Sequence, residues 1–522
     1  MSTISMKRVL FAISILMSSF IMNGQSTFND IAPVLYKNCT GCHRPGGGAP
    51  FSMLSFPATA PWTTSIVNVL QDSEMPPWSA DTSYLHFVNE RQITQADKDS
   101  LLTWIYDGAL QGDPSLQPPP PAYPMYQLGG TPDTIIQLTK FTSNADTEDA
   151  YNMLVVPLYL GQDRFVRAIE LVPNNPELVH HALIMAGPLG DIDTDTSGNA
   201  FSIDGDISVG TWAPGTMPIV YPNSTDIKMG VKLPANGEIG MQIHTPKGTA
   251  GQRVDIKIRM YLYPANETGI REVHDTVPLQ YWSNDFYIPA GQVKSFSVEE
   301  NWPSQSISVF SAFPHSHQIC TEILNFAYKA QPNDTIPLMK IDRWDFEHQE
   351  YYYYKNMVKI PAGYTVHSTH VFDNRSSNHH NPNSPPQLIS VGLNTDDEML
   401  FDGFQYLEYQ PGDENIDIDS ILKNDPLLVL DIPEFEVARE IKYSVIPNPI
   451  TSDAIIEFTP PLNESNNYTL NVYDKMGRPV MVEYIVQDGR IQLERVMATS
   501  GIYFFEVLSH GQRFVAGRLV YL

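Results

Sequence analysis

The chain has 522 residues, 42% of them apolar, an ordinary share for globular domains. At roughly 150 residues per domain this length predicts three or four domains. A formal net charge of −27, from 32 Lys and Arg against 59 Asp and Glu, makes the surface repel nucleic acid and anionic lipid, so neither is expected as a partner.

Residues 1–25 begin with Lys7 and Arg8, continue through the apolar run VLFAISILMSSFIM, and end in small or polar residues up to Gln25. The run is short for a spanning helix and no comparable run follows. It reads as a cleaved secretory signal, leaving an exported protein with no transmembrane anchor. Three cysteines, Cys39, Cys42 and Cys320, are too few for a disulfide framework.

NCTGCHRPGGGAP places Cys39, Cys42 and His43 in a C-x-x-C-H array. Two thiols at this spacing add to the two vinyl groups of a haem, and the following histidine ligates its iron. A redox C-x-x-C or half a zinc site is the alternative, but no second cysteine pair completes a zinc site. EMPPWSAD offers Met75 as the sixth ligand, in a loop stiffened by two prolines. Met53 competes less well, because the chain would have to double back tightly. NERQITQADKDSLLTWIYDGALQGD predicts an amphipathic helix with Thr94 as N-cap and Leu101, Leu102, Ile105 and Tyr106 facing inward. Residues 26–112 resemble a small c-type cytochrome, which implies an all-α domain carrying one covalently attached haem c. The Pro-rich stretch 113–124 reads as a stiff spacer of the polyproline kind.

From 125 to 410 the sequence turns to short alternating segments, among them RFVRAIELV, VDIKIRMYLY and KSFSVEE. They predict a mainly β region of antiparallel sandwiches, because no helical repeats separate them. LVHHALI places His180 and His181 side by side, although neighbours on a regular strand point to opposite faces. MQIH adds His244. FPHSHQIC adds His315 and His317, two apart, a spacing that puts both on one strand face within reach of a shared metal. Met399, in TDDEMLFDGF, would complete a soft set of two imidazoles and a thioether, one that favours Cu(I).

LVHHALI, MQIH, HSH, WDFEHQ with VFDN, and DEM follow in the order and approximate spacing of the copper type II, ascorbate-dependent monooxygenases, the group that includes the peptidylglycine α-hydroxylating and dopamine β-monooxygenases. Residues 145–410 resemble that family. The resemblance implies two jelly-roll-like sandwiches, 125–285 and 286–410, and two copper ions. One copper would be held by His180, His181 and His244, the adjacent pair reaching it from a strand end or bulge. The second, catalytic copper would be held by His315, His317 and Met399. The implied reaction is hydroxylation of a C–H bond of a small molecule or peptide by O2. Ascorbate, a redox partner protein or the fused haem domain would supply the electrons. An extracellular haem and copper electron-transfer protein without oxygenase activity, or a copper-binding protein, is the alternative. His367, His370, His379 and His380 match no ligand position of the family and read as loop or outer residues. Unlike the animal enzymes, this region is poor in disulfides. Its single Cys320 reads as a buried, inert thiol, with a labile neighbour of copper as the alternative.

Residues 411–442 are acidic and read as a linker. SVIPNPITSDAIIEF, YTLNVYDKMGRPV and GIYFFEVLSHGQRFVAGRLVYL predict a small Ig-like β-sandwich over 443–522. They resemble the C-terminal sorting domain of type IX secretion, which implies that machinery as a partner and a secreted or cell-surface location. An adhesion module of similar fold is the alternative.

Overall fold

A computed structural model describes residues 25–124, 126–200, 207–276, 279–329, 334–392 and 394–428, and 442–521 apart from 452, 460, 463–467, 475–478, 481, 495–499 and 510–511. The expected signal segment lies outside the described residues, as does the 429–441 part of the acidic linker. The chain divides into two compact units between Leu430 and Asp431. It is mainly β, in antiparallel sheets, and no described helix is long and apolar enough to cross a membrane.

The N-terminal region is helical, with α1 (Phe28–Asn38), α2 (Thr63–Gln71) and α3 (Gln95–Tyr106). Phe28, Ile31, Ala32 and Leu35 recur at the spacing of one helix face and are buried against Leu70, Leu101 and Trp104. Thr94 caps α3 as expected, its hydroxyl accepting the Asp97 N–H at 3.1 Å. The inward face differs from expectation. Leu101 and Trp104 are buried, whereas Tyr106 is 65% exposed, because five residues of helix carry it about 140° from Leu101.

The first sandwich contains β1 (Ala150–Tyr159), β2 (Arg164–Pro173), β3 (His181–Pro188), β4 (Ile207–Trp212), β5 (Asn236–Thr245) and β6 (Ile256–Leu262). One sheet runs Asp195–Gly198, β1, β5, β3, β4, and the other runs Thr134–Gln137, β6, β2, Lys232–Leu233. Ile184, Met241, Ile243, Ile258 and Met260 fill the space between them. Central strand β5 is buried on both faces, its far side covered by Met153, Met185, Ile192 and Ala200.

The second sandwich contains β7 (Val293–Asn301), β8 (Ile307–His315), β9 (Cys320–Tyr328), β10 (Tyr352–Ile360), β11 (Thr365–Asp373) and β12 (Phe401–Glu408). Its sheets run His274–Asp275, β12, β8, β10 and β7, β11, β9, Thr335–Ile341. The second unit packs two four-stranded sheets around Ile456, Leu470, Phe505 and Leu519.

Two stretches expected to stand between domains are built into the first unit. In the Pro-rich stretch, Pro118 O accepts the Tyr36 hydroxyl at 3.0 Å and Tyr123 bonds Thr40. In the acidic stretch, Ile418 and Leu422 join the first sandwich's core, Asp425 pairs with buried Arg167, and Asp413 accepts from Arg271 at 2.6 Å. The acidic residues there answer buried cations, so acidity alone did not mark a solvated linker.

Candidate metal centres

The first histidine cluster follows from strand register. β3 and β5 are antiparallel neighbours that place His181 directly opposite His244. Tyr151 of β1 pairs with His244 from the other side and stacks on it, with centroids 4.4 Å apart. His180 lies one residue before β3, after a 3₁₀ turn over Pro176–Leu178, and its N–H donates to His244 O at 2.9 Å. Being outside the pleat, its ring swings to the side that His181 occupies.

The three rings meet through Nδ1. His181 Nδ1 lies 3.2 Å from His180 Nδ1 and 3.3 Å from His244 Nδ1. His180 Nε2 donates to Glu347 Oε2 at 2.7 Å, and His244 Nε2 lies 3.2 Å from Asp149 Oδ2. The Glu347 carboxylate fixes the His180 proton on Nε2 and leaves its Nδ1 a bare lone pair, while His244 Nε2 is within ion-pair distance of Asp149 but makes no hydrogen bond of good geometry. Burial lowers the proton affinity of His181 and His244 below that of an ordinary imidazole. A proton on His181 Nδ1 would bridge to the other two rings, and with His181 protonated on its other nitrogen the three inward nitrogens could hold a metal cation instead.

The second cluster forms where β8 meets β12. His315 ends β8 in register with Phe401, and Met399 lies two residues before that partner. His315 Nε2 and Met399 Sδ approach to 3.1 Å, and the His315 and His317 rings sit 5.4 Å apart and nearly perpendicular. His317 lies beyond the end of β8, so the turn through Ser316, rather than the pleat, brings the two rings together. Gln349 Oε1 accepts from His315 Nδ1 and Asp397 O from His317 Nδ1, which puts the ring protons on Nδ1 and leaves the Nε2 lone pairs unprotonated. Burial pushes the His315 and His317 rings down to about 3 and about 4.

Beneath this cluster Glu398 is wholly buried, its carboxyl pushed up to about 8 by burial. It accepts the N–H groups of His317 at 2.9 Å and Ile319 at 2.7 Å, clamping the turn. Ser316 Oγ donates to Met399 O at 2.7 Å and lies 2.7 Å from His370 Nδ1; His370 Nε2 contacts Asp402 at 3.0 Å. His370 is therefore a buried strand residue behind Met399, not a loop residue. His367, also on β11, stacks on Phe326, while His379 and His380 occupy an exposed turn. Cys320 is buried and its thiol pushed well above the usual range by burial.

One strap, residues 344–350, touches both clusters. Trp344 Nε1 donates to His317 O at 3.0 Å. The Phe346 ring sits 6.1 Å from His180 and 5.9 Å from His317. Glu347 holds His180, Gln349 holds His315, and buried Glu350 pairs with Arg91 of the helical region.

Cys39, Cys42, His43, Met75, Tyr123 and His348 line a cavity of about 1310 Å³, above the roughly 300–1,000 Å³ of ordinary small-ligand pockets. His43 Nδ1 donates to Phe51 O at 3.2 Å, which leaves Nε2 bare. Met75 is 40% exposed on the cavity wall. Met53 also lines the cavity but is packed into the helical core, its N–H bonded to His43 O at 2.9 Å. Gly215, at φ +88°, lies directly against Cys42 in the cavity lining; a Cβ there would meet Cys42 Sγ at 2.5 Å.

Residues 287–417 match the family described as copper type II ascorbate-dependent monooxygenase, C-terminal domain, and residues 444–520 match the secretion system C-terminal sorting domain. The chain thus carries a copper monooxygenase C-terminal domain, containing His315, His317 and Met399, and a sorting tail that indicates export to the cell surface or outside. The 180/181/244 cluster and the C-x-x-C-H segment lie outside both matches. No curated protein matches the chain. Among solved structures, the Lin-41 filamin domain is 13% identical, covering 15% of this chain and 91% of its own, with a TM-score of 0.13. The BSP domain of a biofilm-associated protein is 11% identical, covering 77% and 84%, with a TM-score of 0.14. The VP2 subviral particle of infectious bursal disease virus is 10% identical, covering 55% and 76%, with a TM-score of 0.14.

Sequence reasoning gave no role to Asp149, Glu347, Gln349 and Glu398, which hold these rings and their turn, and read His370 only as a loop or outer residue. Glu347 and Gln349 stood inside the quoted WDFEHQ, but Asp345 and His348 there are polar too, so polarity alone did not single them out.

Proposed function

We propose that this protein is an exported copper-dependent monooxygenase that hydroxylates a C–H bond with O2. His180, His181 and His244 hold one copper and His315, His317 and Met399 hold the second. The functional segments are 26–112, 125–285 and 286–410. When bound, the coppers supply one-electron chemistry between Cu(I) and Cu(II), two electrons and O2 giving one hydroxyl group and one water. The donor sets divide that work. Three imidazoles make the harder set, suited to storing an electron, while the thioether of Met399 makes the softer set, which favours the reduced metal. Glu347 and Gln349 hold protons on the outward nitrogens of His180 and His315, so the inward ones stay available, and the Asp149 carboxylate lies 3.2 Å from His244 Nε2.

Cys39 and Cys42 line the 1310 Å³ cavity and would anchor a haem c there, with His43 and Met75 as the residues that would hold its iron. Such a group would supply single electrons, with ascorbate or a redox partner protein as the external source. Type IX secretion carries the protein out.

The observation that carries this reading is the approach of His315 Nε2 to Met399 Sδ at 3.1 Å, inside the matched monooxygenase domain and beside a three-imidazole cluster. Elemental analysis with haem absorbance tests it. Two coppers per haem are expected, falling to one in the His315→Ala, Met399→Ala double variant, with substrate-dependent O2 uptake lost in Met399→Ala. One copper or none in anaerobically reconstituted wild type defeats the reading.

A further inference from the structure

Three consecutive side chains of the strap reach three different places. His348 lines the cavity that holds Cys39, Cys42 and His43. Glu347, the next residue back, accepts from His180 Nε2 at 2.7 Å. Phe346, one further back, lies between His180 at 6.1 Å and His317 at 5.9 Å, stacked on the first ring and edge-on to the second.

The strap is also held rigidly. Glu347 N donates to Asp345 Oδ1 at 3.0 Å and His348 N to Asp345 O at 3.1 Å, which closes a turn. Gln349 Nε2 donates to Phe346 O at 2.7 Å, and Arg91 NH1 donates to Glu350 Oε2 at 3.2 Å. Arg91 in turn lies over Trp78, 5.1 Å from the ring centroid, and donates to Pro77 O at 3.1 Å, in the loop that carries Met75. The same seven residues therefore fix the spacing of the cavity and both clusters. Electron tunnelling is far more effective through bonded and packed atoms than across solvent, so a rigid run of neighbouring side chains between redox groups is a route.

We infer that the strap is the electron route of this protein, running from the cavity through His348 and Glu347 to the His180 cluster, and through Phe346 to the His317 cluster. The inference rests on the haem and copper reading above. The balance is one electron per step: ferrous haem becomes ferric as one Cu(II) becomes Cu(I), with no atom transferred. A second electron for the second copper requires the haem to be reduced again by an external one-electron donor. His348 and Phe346 are positioning residues in this scheme, since neither ligates a metal.

The test uses the full chain, copper-loaded, oxidised and anaerobic. A photogenerated one-electron reductant reduces the haem, whose absorbance is then followed as it reoxidises, while freeze-quenched samples report the Cu(II) resonance signal. In wild type, haem reoxidation and loss of Cu(II) signal proceed together. His348→Ala slows haem reoxidation about tenfold, equivalent to about 1.4 kcal/mol in barrier, at unchanged copper content and haem spectrum. Phe346→Leu leaves the first electron's transfer at the wild-type rate but slows reduction of the second copper after a second pulse. His348→Gln, which keeps a side chain of similar length, falls between His348→Ala and wild type. Wild-type rates in both His348→Ala and Phe346→Leu overturn the route while leaving the metal reading intact. Wild type that lacks haem absorbance or binds fewer than two coppers overturns both.

Discussion

At the scale of single residues, the clustered imidazoles and thioether were easier to foresee than the groups that hold them. A histidine or methionine in the right order declares itself by type, whereas Asp149, Glu398 and Asp275 are ordinary acids whose roles depend on burial. Asp275 shows how far burial matters. It lies where the two sandwiches meet, its carboxylate accepting the Ser208 N–H at 3.0 Å, and burial pushes its carboxyl up to about 7. An unfolded aspartate titrates near 4. The folded state therefore binds this proton more tightly, and the residue's contribution to stability declines as pH rises from about 4 to about 7. Asparagine keeps the acceptor without the charge. Asp275→Asn is expected to exceed wild type in stability at pH 8 by on the order of 2 kcal/mol, the gap closing towards pH 4. Denaturant midpoints at pH 8 and pH 5 check this, and an equal gap at both values would show that the charge is not the cause.

At the scale of elements, the alternating segments were legible because polar and apolar side chains alternate along them, although in two of them the polar Arg167, Glu170 and Arg259 are buried as well. RFVRAIELV, VDIKIRMYLY and KSFSVEE became β2, β6 and β7. The helix after Met75 was legible from its cap. Thr94→Ala removes the acceptor for the Asp97 N–H and is expected to cost about 1 kcal/mol, read as faster hydrogen exchange of the α3 amides. Unchanged exchange there would mean that packing of Leu101 and Trp104 alone holds the helix start. The strap was not legible as an element. It has no regular secondary structure between Trp344 and Tyr351, and its importance comes from what the two sandwiches bring to it. The same holds for the adjacent histidines: period-two reasoning raised the conflict, but only the register of β3 against β5 and the turn before β3 resolve it.

At the scale of the whole first unit, chain order misleads about independence. Residues 78–88 belong by sequence to the helical region, yet they lie along the second sandwich. Asp81 N donates to Lys340 O and Val88 N to Tyr353 O, each at 2.8 Å, and Lys340 Nζ reaches Asp81 Oδ2 at 2.8 Å. Phe87, 3% exposed, packs into that sandwich's core, 5.3 Å from Tyr354 and 5.6 Å from Tyr352 between ring centroids. A buried aromatic shared by two segments couples their stabilities, because opening either exposes it. Phe87→Ala is expected to cost the first unit about 3 kcal/mol. The loss should appear in the sandwich as well as in the helices: amides of β10 and of α3 both exchange faster, and the denaturant midpoint falls with one transition. If only α3 loosens while β10 keeps its wild-type protection, residues 78–88 merely lie against the sandwich, and the cavity, the strap and the two clusters are not held as one body.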